Sequence, residues 1–133
     1  MRPDTFVFGD LPDLADELAA LVQSGKKRAT ASLPIEFTSS GFPLPTVGDV
    51  SIVTTADDRP VAIIELTEVR HVRFDAVDET FAAAEGEGDG SLAWWRDAHF
   101  RYFTRVCARL GGNFDDASVV ICQRFRLLWN GHP

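Results

Sequence analysis

The sequence predicts a single α+β domain spanning residues 1–133, with a small mixed sheet or open barrel and helices packed outside it. Three observations carry that expectation. At 133 residues the chain has the length of one ordinary domain. Its composition, 45% hydrophobic and 25% charged, is that of a globular protein with a real core. Its apolar periodicity runs helix, strands, helix, helix, strand, without the βαβ rhythm of a doubly wound sheet and without an internal repeat or linker.

The first element is a helix over residues 10–24. Leu11, Leu14, Leu18, Leu21 and Val22 recur at helical spacing. Asp10 stands at the N-cap position, and Pro12 falls in the first turn, where a missing N–H does no harm. Gly25 follows as the C′ residue, and Lys26 and Lys27 come directly after the negative end of the helix. Residues 40–49 read as a loop closed by a Gly-Asp turn. A strand over Val50–Thr54, a turn at Asp57–Pro60 and a strand over Val61–Val69 form a hairpin. Asp75 caps a short helix that runs to about Ala84, and the run Glu85-Gly86-Glu87-Gly88-Asp89-Gly90 breaks it. Ser91 then caps a long helix whose apolar face is Leu92, Trp95, His99, Tyr102, Phe103, Val106 and Leu110. Gly111-Gly112 ends that helix, and Val119–Trp129 is the closing strand.

Charge limits the partners. Thirteen Lys+Arg against twenty Asp+Glu leave a net charge of −7, which disfavours a protein that grips long nucleic acid by its phosphates. The charge is uneven. Residues 24–30 carry +3, residues 75–97 carry −6, and Arg101, Arg105 and Arg109 form a stripe at i, i+4, i+8. Folding that brings the first basic zone to the acidic one makes a mixed-charge cleft. No apolar run approaches the roughly 20 residues that cross a bilayer, and the N-terminus lacks the apolar stretch of a signal peptide. Cys107 and Cys122 cannot form a disulfide framework and read as buried small hydrophobes. A cytoplasmic protein is therefore expected, with no membrane partner; oligomeric state leaves no sequence signal.

Several chemistries find no motif. His71, His99, His132 and the two cysteines show no metal-ligand spacing, so no metal is expected. Dinucleotide and P-loop glycine patterns are missing, as is a G-x-S-x-G elbow, and no cofactor is expected. What remains is Lys26, Lys27 and Thr30 just past a helix end, and Glu85 with its neighbours on a glycine-rich loop. A lysine whose pKa is lowered by burial and by flanking cations, here Lys26 and Arg28, can act as a base. A threonine three residues on can then become a nucleophile, with a carboxylate to move a proton. The same cations equally suit a solvated helix end.

Four motifs in order resemble the ASCH domain family, in its longer bacterial branch. They are Gly25-Lys26-Lys27-Arg28-Ala29-Thr30, Pro45-Thr46-Val47-Gly48-Asp49-Val50, Ile64-Glu65-Leu66-Thr67-Glu68-Val69, and Glu85-Gly86-Glu87-Gly88-Asp89 followed by Trp95. The resemblance implies a PUA-like fold, a small β-barrel flanked by helices, with a cleft beside the Gly-x-Lys turn. It also implies a role with RNA or nucleosides. Some small members remove the acetyl group from N4-acetylcytidine with a lysine, a threonine and a loop glutamate, and Lys27, Thr30 and Glu85 occupy those slots. Others are ribonucleases or RNA binders. One position departs from the family pattern: Ser32 stands where the signature carries arginine, and Arg28 is the nearest substitute.

The expected partner is thus a modified nucleoside or a short single-stranded RNA. In the first case a neutral Lys27 takes the proton of Thr30, Thr30 attacks the acyl carbon, and Glu85 protonates the leaving amine or holds water. Lys26 or Arg28 contacts a sugar or phosphate, and Trp94, off the apolar stripe, stacks on the base. Glu65 is expected to face the barrel interior and to pair with a basic residue of the first motif. In the second case Lys27, Arg28 and the arginine stripe contact phosphates. A third case is an interaction domain without catalysis.

Overall fold

A computed structural model describes residues 4–6 and 12–131. Its elements are β1 (Asp4–Phe6), α1 (Pro12–Gln23), β2 (Ala29–Ser32), α2 (Pro34–Thr38), β3 (Val50–Thr54), β4 (Pro60–Arg73), α3 (Glu79–Glu85), α4 (Leu92–Leu110) and β5 (Val119–Trp129). Asp10, Leu11 and His132, named above, lie outside the described residues. The sheet runs β1-β3-β4-β5-β2, with β1 parallel to β3 and the other four strands antiparallel, curled into a half-barrel. The α+β expectation holds.

The strongly patterned elements form where their apolar residues require. The hairpin β3–β4 pairs Val53 with Ala62 and Ser51 with Ile64, so its apolar set faces one side. The even residues Ala62, Ile64 and Leu66 join Val53 and Phe125 beneath Leu18, Ala19 and Val22 of α1. The second core lies on the opposite side. There Ala29, Ala31, Val120 and Cys122 pack against Phe81 of α3 and Trp95, Phe103 and Val106 of α4. Trp95 is 1% exposed and Phe103 fully buried, and burying a side chain of that size contributes about 1.5–3 kcal/mol. Both cysteines are buried.

Five features differ from the sequence expectation. β1 was not expected and forms by parallel pairing to β3 over Asp4↔Ser51 to Phe6↔Val53. β2 forms from Ala-Thr-Ala-Ser, which has almost no strand propensity of its own; pairing to β5 over Ala29↔Arg124 to Ser32↔Ile121 makes it a strand. α2 was not expected; Pro34 opens it, and Glu36 reaches back to accept from the Leu33 N–H at 2.7 Å. β4 runs four residues past Val69, because β5 pairs with it as far as Arg73↔Val119. The cap of the short helix is Asp78, whose carboxylate accepts from the Phe81 N–H at 2.9 Å. Asp75 instead lies in a 3-10 turn over Phe74–Ala76 and binds the guanidinium of Arg73 at 3.0 Å.

A buried charge cluster at the edge of the sheet

The site forms where the end of α1 meets the end of α3. Gly25, at φ 83°, closes α1 and donates its N–H to the Val22 carbonyl at 3.0 Å. The chain turns at once into β2, an edge strand of the sheet. The Arg28 N–H donates to the Ala84 carbonyl at 2.8 Å, which ties this turn to the last turn of α3. Lys27 therefore points inward and is 1% exposed.

Among the described residues, its ammonium meets these acceptors. Lys27 Nζ donates to the Ala29 carbonyl at 2.7 Å, to Glu85 Oε1 at 2.8 Å and to Glu87 Oε2 at 2.6 Å. Glu85 ends α3 and is buried. Its second oxygen, Oε2, accepts from the Trp95 indole N–H and lies 3.1 Å from His99 Nε2. The other ring nitrogen of His99, Nδ1, is 2.9 Å from the Trp95 carbonyl, and the two rings stack with centroids 4.3 Å apart.

Glycine places Glu87. Gly86 adopts φ 68°, and a Cβ there would come 2.3 Å from the Lys26 carbonyl oxygen. Only glycine lets the chain pass that close and bring the next residue back onto the ammonium. Gly88 lies against the face of Trp94, with a built Cβ 2.2 Å from ring carbons.

Burial acts against every charge in this cluster, and the charges offset it mutually. Burial alone would lower the pKa of Lys27, but Glu85 and Glu87 outweigh it and raise the pKa above the ordinary lysine value. Burial opposes ionisation of Glu85, but Lys27 and then His99 hold its carboxyl well below the usual range. Glu87 is raised, by burial and by the charge of Glu85, in spite of Lys27. For His99 burial works downward, and Glu85 more than compensates, so its pKa is raised. The expectation of a neutral Lys27 is corrected here: the groups facing it are carboxylates, while Lys26 and Arg28 are exposed.

Glu85, Glu87 and His99 bring donor atoms within 4.8 Å of one another, the grouping from which a metal site is built. The Lys27 ammonium already bonds both carboxylates, at 2.8 and 2.6 Å, so the cation of this cluster is organic. A metal ion held by these three residues would have to displace that ammonium.

The remaining predicted residues divide. Thr30, 8% exposed, stands opposite Gln123 in register. Ser32 lies on the same strand face, and its Oγ accepts from Gln123 Nε2 at 3.3 Å. Ala29 and Ala31 point the other way, into the α3–α4 core. Arg28 is exposed and donates its Nε–H to the Gly25 carbonyl at 3.1 Å. Glu65 does not pair with the first motif; it meets Arg126, its partner across β5, at 2.5 Å. That pairing follows from strand register, which places the two residues opposite each other. Trp94 has one face taken by Gly88 and so holds the loop. Arg101, Arg105 and Arg109 are exposed, and Arg101 pairs with Asp97 at 2.9 Å. The basic and acidic zones do meet, through Lys27, Glu85 and Glu87.

Glu87, His99 and Gln123 were not singled out by the sequence. A histidine at i+4 from Trp95 on an apolar stripe is the one linear signal for His99. Among the described residues no helix is long and apolar enough to cross a membrane.

The family model described as ASCH domain matches residues 4–129. Two crystal structures resemble this fold closely. An ASCH domain from Lactobacillus crispatus JV V101 shares 37% identity with a TM-score of 0.88, covering 96% of this chain and 80% of that one. Protein EF3133 from Enterococcus faecalis V583 shares 31% identity with a TM-score of 0.89, covering 98% of this chain and 79% of that one. An ASCH protein from Zymomonas mobilis, at 13% identity and TM-score 0.55 over 92% of this chain and 64% of that one, shares the fold. No match is found among curated proteins.

Proposed function

The chain belongs to the ASCH domain family, whose PUA-like fold it adopts, and from that premise we propose that it hydrolyses an N4-acylated cytidine. The observation that supports this reading is the part-buried contact of Lys27 Nζ with Glu87 Oε2 at 2.6 Å, with Thr30 three residues on in the sequence. A buried ammonium is no base. Passing one proton to Glu87, whose pKa is raised, leaves a neutral amine on Lys27 that can take the proton of the Thr30 hydroxyl. The alkoxide oxygen attacks the acyl carbon and the carbon–N4 bond breaks. N4 leaves as the amine of cytidine with the proton returned from the Lys27–Glu87 pair. Water then cleaves the Thr30 ester to a carboxylate and restores the hydroxyl. Glu85, held ionised throughout, keeps Lys27 in place and takes no proton.

The test is release of cytidine from N4-acetylcytidine, followed by chromatography. Thr30→Ala and Lys27→Ala are each expected to abolish turnover in protein that remains folded by circular dichroism. Turnover retained in either variant overturns the assignment. Lys26 and Arg28, exposed on either side of Lys27, favour a second reading in which a short RNA strand is bound. Phosphate contacts make affinity fall with salt, by about 0.7 log units per log unit of salt for each contact, whereas nucleoside hydrolysis is nearly indifferent to salt.

A further inference from the structure

Both ring nitrogens of His99 face groups that only accept. Nδ1 lies 2.9 Å from the Trp95 carbonyl, and Nε2 lies 3.1 Å from the Glu85 carboxylate. A neutral imidazole carries one proton and would turn a lone pair toward one of these oxygens. We propose that His99 is a positioning residue of this site, a buried imidazolium that fixes Glu85 and supplies the second positive charge against which Glu87 ionises. Its role in turnover rests on the functional reading above; its charge state does not.

The charges facing His99 come from three segments. Glu85 reaches it from α3, Glu87 from the following loop, and Lys27 from the turn before β2. Its own helix contributes the Trp95 carbonyl and the stacked indole, and Phe103 closes the ring edge at 5.7 Å. With His99 protonated, two cations stand against two carboxylates among the described residues, and these four groups sum to zero when Glu87 is ionised. Without that proton the cluster carries −1 in a largely buried site, and Glu87 is driven to hold its own proton. The raised pKa of His99 agrees with this balance. His99 thereby keeps Glu87 able to accept the proton that Lys27 gives up, without touching substrate itself.

Two measurements test the inference. In the unaltered protein at pH 7.5, ring-nitrogen NMR is expected to report His99 with both nitrogens protonated. The exposed His71, identified through His71→Gln, serves as the reference signal. A single-proton tautomer at His99 overturns the proposal. In His99→Gln, which keeps a donor toward Glu85 but no charge, the acid limb of kcat/KM for N4-acetylcytidine is expected to move up. The shift is about 2 pH units or more for donor atoms within 4.8 Å of one another at an effective dielectric near 20. A uniform loss of rate with the limb unmoved is the result of a purely structural role and refutes the positioning claim. If the unaltered protein releases no cytidine, the functional reading falls, and the imidazole spectrum still decides the charge of His99.

Discussion

Replacing Lys27 by methionine keeps the length of the side chain and removes its charge. Lys27 is 1% exposed and holds Glu85 at 2.8 Å and Glu87 at 2.6 Å, so its loss leaves two buried carboxylates facing one imidazole. Removing one partner of a buried ion pair costs about 3–5 kcal/mol, because the stranded charge has no water to return to. For a domain of this size that corresponds to a fall in Tm of about 10–20 °C. The loss depends on pH. In Lys27→Met the carboxyl freed from the ammonium has a folded-state pKa above its unfolded value. Such a group adds stability below the unfolded pKa and forfeits it as pH rises through the folded one. The deficit is therefore smaller at pH 5 than at pH 8. Urea denaturation followed by Trp fluorescence at both values measures it, since Trp95 packs against the cluster. Adding Glu87→Gln to Lys27→Met is expected to return part of the lost stability. A loss below about 1 kcal/mol, equal at both pH values, would refute the buried ion pair.

Three further outcomes follow from the same geometry. Gly86→Ala meets the Lys26 carbonyl and a φ of 68°, and is expected to cost about 2 kcal/mol or more in denaturant and to lower turnover by displacing Glu87. Glu85 has its pKa held below the unfolded value, so its contribution is present above about pH 4.3 and is lost as pH falls well below that; Glu85→Gln should flatten the acid limb of a Tm-against-pH curve. Cys122, buried and with its thiol pushed up to about 12 by burial, is expected to resist a thiol reagent in the native protein at pH 8 and to react once urea is added.

Helix α4 and the hairpin β3–β4 were legible because their side chains repeat at the period of their own backbone. Ser91 and Gly111 bracket α4 as a cap pair should. β2 was not legible: Ala29–Ser32 has no pattern of its own, and β5 supplies the partner that makes it extended. Asp75 and Asp78 are equivalent as linear cap signals, and packing of Phe74 and Val77 into the core selects the second. In the site, the pairing of Lys27 with Glu85 crosses 58 residues of sequence and was reached by resemblance, not by spacing. Lys27 is charged where the flanking sequence suggested a neutral amine. Its sequence neighbours point to solvent, and the groups that set its pKa come from α3 and the loop beyond.

By itself, then, the sequence determined the α+β class, the long elements with their caps, and the residues able to do chemistry, since each depends on local periodicity, turn geometry or side-chain type. Tertiary structure decided which of those residues meet and what charge each carries. It buried Lys27 against two carboxylates, gave Glu65 to Arg126 and Trp94 to Gly88, and brought His99 to Glu85. The reason is that a proton's free energy in a buried site is set by desolvation and by charges a few ångströms away, and those neighbours come from segments far apart along the chain.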